Sequence, residues 1–232
     1  QYIPIPIDEL YLDFTTLEKS SETEQDYLVT AAPKRVVDSY ISIFDILGLR
    51  PVIMEPSILS VTRMVQNAEI SNFPTLVIDC GAITSDLTVY DKKSTIVTGT
   101  VKFGGNTITN AHMNAMGLSE VQANTIKSRY GLEVSKKQKE IMEALEVPLR
   151  NLTTEIRKIV RYYEDRVKSE ESKVEQVIIL GGGANLPGFS TYLTSNLRIP
   201  TRLCSIWQHI ELDGLQPPNQ LDTSMYATAV GL

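Results

Sequence analysis

The 232-residue sequence is poor in the residues that build covalent or metal frameworks: it has two Cys, two His and one Trp. Cys80 and Cys204 lie far apart, with no CxxC pair and no Cys/His cluster, which argues against a disulfide framework or a zinc site. His112 and His209 have no neighbouring Cys and no paired-carboxylate motif, and no GxSxG elbow occurs. Triad hydrolysis is therefore excluded, and both imidazoles are expected at surface or hydrogen-bonded positions. Trp207 and the scattered Tyr residues form no stacking platform for single-stranded nucleic acid. Positive charge is in deficit as well, with 22 Lys and Arg against 28 Asp and Glu, for a net charge of -6. That balance disfavours a nucleic-acid or membrane-surface binder. No apolar run approaches the ~18 residues of a bilayer span, and no signal-peptide pattern opens the chain. The implied setting is cytoplasmic. An initiating Met is also missing. The start Gln1-Tyr2-Ile3-Pro4-Ile5-Pro6 reads as a cut through a longer protein, the alternative being a processed mature N-terminus.

What is present suffices for a core. The chain is 42% hydrophobic, and a fold of this length buries roughly 70–75% of its unfolded surface. Leu10–Leu17 alternates apolar and polar residues and reads as a strand; Glu18–Gln25 is a charged loop and Asp26–Ala32 a second strand. Pro33 is suited to a first helical position, and Val36, Val37, Tyr40, Ile41, Phe44 and Leu47 recur at helical spacing before Gly48. A strand at Arg50–Met54 and a helix over about Ser57–Asn67 follow, with a boundary at Asn67–Pro74. Thr75–Asp79, Ser85–Asp91 and Ser94–Phe103 then read as three strands joined by tight turns, an antiparallel meander. Helices are expected from about Thr107 and from Ser119 to near Gly131. The stretch from Lys136 to Val167 is amphipathic and mixes both charges on its polar face, as a solvated surface does. It is either one long helix or two joined near Pro148. Val177–Leu180 is a short buried strand, Phe189–Asn196 a helix, Leu215–Asn219 a Pro-rich loop, and Ser224–Leu232 is helical in character.

Two glycine-bearing turns each follow an apolar strand, about a hundred residues apart. Phosphate needs backbone amides that approach closely, which favours Gly at a turn or helix start. Asp79-Cys80-Gly81-Ala82-Ile83-Thr84-Ser85-Asp86 adds a strand-end carboxylate that can order magnesium-bound water, a hydroxyl at Thr84 and a second carboxylate at Asp86. Taken alone, it also reads as a hairpin with an Asp on its edge. Gly181-Gly182-Gly183 is neither a P-loop, since Gly188 is followed by Phe189-Ser190, nor a dinucleotide fingerprint, since Leu186 stands where Gly is required. It serves either tight packing or close approach of a flat ring or phosphate. Cys80 reads as a small core residue.

Together these features resemble the actin-like ATPase superfamily, which includes actin, sugar kinases, heat-shock chaperones and the division protein FtsA. The second phosphate loop of that superfamily reads like Leu76–Asp86 and its adenosine loop like Ile178–Gly188. Its connecting segments read like Phe103–Thr109 and Tyr226–Leu232. Within the superfamily, Gln1–Phe14 and the run from Leu28-Val29-Thr30-Ala31-Ala32-Pro33-Lys34 to Leu47-Gly48-Leu49-Arg50-Pro51 resemble the PilM family of type IV pilus assembly proteins. The likeness covers essentially the whole chain. It implies an α/β, actin-like ATPase fold, with mixed sheets, flanking helices and an incomplete N-terminal lobe. In that division, residues 1–71 are the remainder of the N-terminal lobe with its inserted small subdomain. Residues 72–222 are the C-terminal lobe, and 223–232 a helix returning to the first.

The resemblance further implies ATP or ADP with magnesium as cofactor. Asp79 would hold the magnesium through water, while Gly81, Ala82, Ile83 and Thr84, with Asp86 nearby, would meet the β- and γ-phosphates. Gly104, Gly105 and Asn106 would support the phosphate region, and Gly181, Gly182, Gly183 and Ala184 would back the adenine and ribose. Related proteins carry Glu and, three residues on, Lys on the adenosine helix. Here those positions are Asn124 and Lys127, and Asn is an uncharged acceptor. The superfamily's first phosphate loop, an N-terminal Asp-x-Gly hairpin, has no counterpart in the sequence. Half the phosphate clamp is thus missing, so this chain alone is expected to bind ATP weakly or not at all and to be inactive in hydrolysis. The function implied is a cytoplasmic ATP-binding scaffold, peripheral to the inner membrane through its partners. It would dock the cytoplasmic tail of PilN alongside other pilus machine proteins, and a homo-oligomer is compatible with it. The competing readings are a working ATPase or kinase of the same superfamily and an FtsA-like filament-forming division protein.

Overall fold

The computed structural model describes residues 5–17, 25–68, 73–91, 94–167, 173–204, 207, 210, 211, 213, 214, 216, 219 and 224–232. The chain divides into two compact units, Gln1–Pro56 and Ser57–Leu232.

In the first unit a 3₁₀ turn at Ile7–Glu9 leads into β1 (Leu10–Thr16), which pairs antiparallel with β2 (Tyr27–Pro33). The register sets Leu10, Leu12, Phe14 and Thr16 opposite Pro33, Ala31, Val29 and Tyr27. Helix α1 (Lys34–Ile46) follows directly. Pro33 is its N-cap rather than its first turn, because that residue still closes the β2 ladder opposite Leu10. Tyr11 on β1 donates its hydroxyl to Asp38 of α1 at 3.0 Å, which pushes the phenol upward, and Lys34 lies over the Tyr11 ring. The strand expected at Arg50–Met54 is absent. Pro51 has no amide to give a ladder, and Val52 and Ile53 project into solvent.

The second unit is a mixed five-stranded sheet between helices. The strands are β3 (Thr75–Cys80), β4 (Ser85–Asp91), β5 (Ser94–Val101), β6 (Gln176–Leu180) and β7 (Thr201–Leu203), in spatial order β5-β4-β3-β6-β7. The expected meander is there: β3, β4 and β5 are antiparallel neighbours, while β6 and β7 continue parallel to β3. Because side chains alternate across a strand, β3 feeds both faces of the sheet. Leu76 and Ile78 join one cluster with Leu87, Val89, Val177 and Ile179, whereas Val77 faces the other with Tyr90, Ile178 and Leu180.

The first face is covered by α3 (Gly105–Met116), α4 (Glu120–Tyr130), α5 (Gln138–Val167) and α6 (Phe189–Leu197). Helix α5 is a single element with Pro148 inside it, and it buries Ile141, Leu145, Leu149, Leu152, Ile156 and Tyr163. An internal proline costs a helix roughly 3 kcal/mol. The apolar stripe on both sides of Pro148, packed against the sheet, keeps the two halves as one. The second face is covered by α2 (Ser57–Ala68) and α7 (Ala227–Gly231). Ser60 Oγ donates to the Thr228 carbonyl at 2.6 Å and Arg63 to the Gly231 carbonyl at 2.7 Å. Strand β7 is too short and too exposed for its pattern to stand out in sequence. The loop expected at 18–25, the boundary at 67–74 and the Pro-rich loop at 215–219 fall largely outside the described residues, as do residues 1–4 of the opening signature.

Candidate functional site

The two glycine turns come together because their strands do. Parallel pairing of β3 with β6 sets Asp79 beside Leu180, so the turn after each strand opens at the same end of the sheet. The contact is close. Gly181 has φ of +82°, and a methyl there would lie 2.3 Å from Asp79 Oδ1; one on Gly183 would lie 2.4 Å from Cys80 Sγ. Only glycine allows this approach. Buried Ser224 fixes the turn from behind. It accepts the Gly181 amide at its carbonyl and donates its hydroxyl to the Gly181 carbonyl at 3.0 Å.

The hairpin turn is held from the other side by the start of α3. The Gly105 amide donates to the Gly81 carbonyl at 3.0 Å and the Asn106 amide to the Ala82 carbonyl at 2.8 Å, while the Gly81 amide closes the turn on Thr84. Gly104 is extended at this point, and a methyl on it would lie 2.6 Å from the Ala82 carbonyl. The first amides of α3 therefore support the turn. Among the described residues the amides of Ala82 and Ile83 donate to no other backbone carbonyl.

Between these turns and α4 lies a cavity of about 350 Å³ lined by Gly81, Ala82, Gly105, Asn106, Ile108, Lys127, Ser128, Gly182, Gly183, Asn185 and Leu186. That is within the size range of small-molecule sites. Of the residues singled out from sequence, Gly81, Ala82, Gly105, Asn106, Lys127, Gly182 and Gly183 line it. Asp79, Thr84, Asp86, Gly104, Asn124, Gly181 and Ala184 do not. Ile83 is 72% exposed at the hairpin tip and lines a separate groove with α3 and α5. Asn124 accepts the Thr109 hydroxyl on its Oδ1 at 2.9 Å. Ser128, Asn185, Leu186 and Ile108 also line it, the last three within the segments that resemble the adenosine loop and a connecting segment but with no site role assigned from sequence. Ser128 stood one residue from Lys127, and Asn185 and Leu186 directly follow the triple glycine.

The electrostatics follow burial. The Asp79 carboxyl, shielded from water and facing Asp86 across the hairpin, is pushed up to about 6. Asp86 in turn accepts from Thr100 Oγ1 at 2.6 Å. Burial pushes the Cys80 thiol up to about 11 and holds the Lys127 ammonium below its ordinary value. His112 differs from expectation. It sits on the inner face of α3 with Ile108 and Thr109, fully buried, and neither ring nitrogen has a hydrogen-bond partner among the described residues. Burial lowers its pKa. His209 lies outside the described residues.

A mixed sheet that gathers two strand-end glycine turns around one cavity, with helices on both faces, defines the actin-like ATPase fold class. Solved structures bear this out. The PilM-PilN type IV pilus biogenesis complex matches with a TM-score of 0.79 at 24% identity, over 100% of this chain and 67% of that one. MreB5 of Spiroplasma citri bound to ADP gives 0.63 at 15% identity, over 86% and 64%. The ethanolamine utilization protein EutJ from Carboxydothermus hydrogenoformans gives 0.59 at 17%, over 85% and 60%. The chain thus spans 60–67% of the length of these three. The family described as type IV pilus assembly protein PilM matches residues 1–232, and the chain belongs to that family. Among the described residues no helix is long and apolar enough to cross a membrane.

Proposed function

We propose that the chain is the nucleotide-holding part of a type IV pilus assembly scaffold, with ATP or ADP in the cavity between the two glycine turns. The observation that carries this is the cavity itself. Its walls are backbone at Gly81, Gly105, Gly182 and Gly183, with a cation at Lys127 and amide side chains at Asn106 and Asn185. Close backbone approach suits a flat base and a phosphate chain. No group of three or more His, Cys, Asp or Glu among the described residues can hold a metal by protein ligands alone. Magnesium would be carried by phosphates and water, with Asp79 taking a bound water.

Membership of the family, and a solved relative described as a PilM-PilN complex, support docking of the cytoplasmic tail of PilN. That partner would hold the scaffold at the cytoplasmic side of the inner membrane. In this reading the nucleotide is structural, with weak or no hydrolysis.

The test titrates labelled ADP and magnesium into the whole protein and into the 232-residue chain, following anisotropy, with labelled PilN tail peptide in a second channel. The whole protein is expected to bind both, and the 232-residue chain to bind ADP at least about tenfold more weakly, the worth of a few charge-assisted hydrogen bonds at the phosphates. A whole protein that ignores ADP sinks the nucleotide reading; one that ignores the peptide sinks the docking.

A further inference from the structure

A continuous path of hydrogen bonds crosses the wall of the cavity. Lys127 Nζ, from α4, donates to the Gly105 carbonyl at 3.3 Å and to Thr109 Oγ1 at 2.9 Å, both on α3. The Thr109 hydroxyl has one proton and two acceptors in reach, Asn124 Oδ1, one turn back on α4, at 2.9 Å and the Gly105 carbonyl at 3.1 Å. From Gly105 and Asn106 the amides run on to the Gly81 and Ala82 carbonyls of the hairpin turn. We propose that Lys127 is a positioning residue. It braces the start of α3 from α4, and through α3 holds the turn at 81–84 in place before any ligand arrives.

The residue types suit this work. An ammonium has three donors, two of which are engaged here, so one remains for a ligand in the cavity that Lys127 also lines. Asn124 completes the brace because it accepts from Thr109 without a charge. A Glu there would draw the ammonium, three residues on along the same helix, into an ion pair and away from Gly105. Thr109 is buried and lines no part of the cavity, so it touches no ligand there; it reaches the start of α3 through Lys127 and through its own hydroxyl, 3.1 Å from the Gly105 carbonyl.

The consequence for nucleotide rests on the function proposed above, but the brace itself is measurable without ligand. The experiment is residue-resolved amide exchange on the whole protein, in the unmodified form, Lys127→Met and Thr109→Val, followed by titration with ADP and magnesium. Lys127→Met is expected to speed exchange at Gly81, Gly105 and Asn106 by about tenfold or more, as loss of charge-assisted bonds implies. Val77 and Ile78 in the core should stay unchanged and ADP should bind more weakly. Thr109→Val should move the same three amides less, in the same direction. Unchanged exchange in Lys127→Met overturns the proposal even where ADP affinity falls, since Lys127 would then be a ligand contact alone. A faster-exchanging turn in a protein that never binds ADP supports the brace and removes the nucleotide reading instead.

Discussion

The two compact units hold themselves together by different means. In Ser57–Leu232 the sheet is covered on both faces, and its larger cluster runs from Leu76 and Ile78 on the central strand to Leu145, Leu152 and Tyr163 on α5, with a second cluster under α2 and α7. In Gln1–Pro56 the contrast is sharp: Leu10 is the one described hydrophobic residue that is buried, and Leu12, Phe14, Tyr27 and Val29 are all at least half exposed. What orders that unit is local. It has the seven-pair ladder of β1 and β2, the Tyr11–Asp38 hydrogen bond, the bond the Lys34 ammonium donates to the Asp8 carbonyl and one aromatic edge contact. A chain segment of under 60 residues is marginal on burial alone. Truncating a side chain should therefore cost much in the second unit and little in the first.

The largest effect is expected at Leu145→Ala. Leu145 is fully enclosed on α5, one turn from Leu149 and Ile141. Removing its branched end loses transfer energy and leaves a cavity that the long helix, spanning the sheet, closes poorly. The expected loss is about 2–5 kcal/mol, read as a shift of the urea midpoint at constant slope. A loss under about 1 kcal/mol would mean that α5 repacks freely, and the contrast between the units would fail.

Much of this division was legible in sequence, and its exceptions have physical reasons. Alternation located β4 at Ser85–Asp91, although both faces of that strand are buried, and the three- and four-residue steps located the buried stripe of α5, because that period reports a half-buried helix directly. The period does not report whether Pro148 breaks a helix, since packing on both sides of it decides that. Nor does it find β7, three residues at an edge, or reject a strand at Arg50–Met54, whose apolar residues meet solvent. For the site, the glycines were readable as positions of close approach. Their neighbours were not. Ser224 behind Gly181, Thr109 beneath Lys127 and the unpartnered ring of His112 are set by contacts between elements distant in sequence, and no local pattern announces them.

The second unit also contains a residue that works against its own stability. Asp79 binds its proton more tightly in the folded chain, at about 6, than in the unfolded chain at 3.8. Folding takes up a proton between those values. The stability this confers is present in full below the unfolded value and is lost as pH rises through about 6. At pH 7 the buried carboxylate thus costs up to about 3 kcal/mol. Asp79→Asn is expected to stabilise the ligand-free protein by about 1–3 kcal/mol at pH 7, with the gain shrinking as pH falls towards 4. The same substitution should weaken the magnesium dependence of ADP binding. Urea unfolding of both forms at pH 7 and pH 4.5 checks the sign. A gain that grows at low pH would show that the carboxylate is stabilised, not strained, by its surroundings.

The smallest effect belongs to the first unit and tests the comparison from the other side. Phe14 and Tyr27 meet edge to face with ring centroids 5.5 Å apart, diagonal neighbours across the β1–β2 ladder, and Phe14 is 65% exposed. Phe14→Ala therefore removes one cross-strand contact and uncovers no cavity. Such pairs contribute about 0.2–1 kcal/mol, so the global urea midpoint should barely move. Amide exchange along Leu10–Thr16 should quicken by less than about tenfold, the equivalent of roughly 1.4 kcal/mol. The measurement is decisive in one direction. A loss above about 2 kcal/mol, the scale of a buried aromatic, would mean that Phe14 is covered in the whole protein. The first unit would then draw its stability from burial just as the second does, through a surface that other residues or a partner supply.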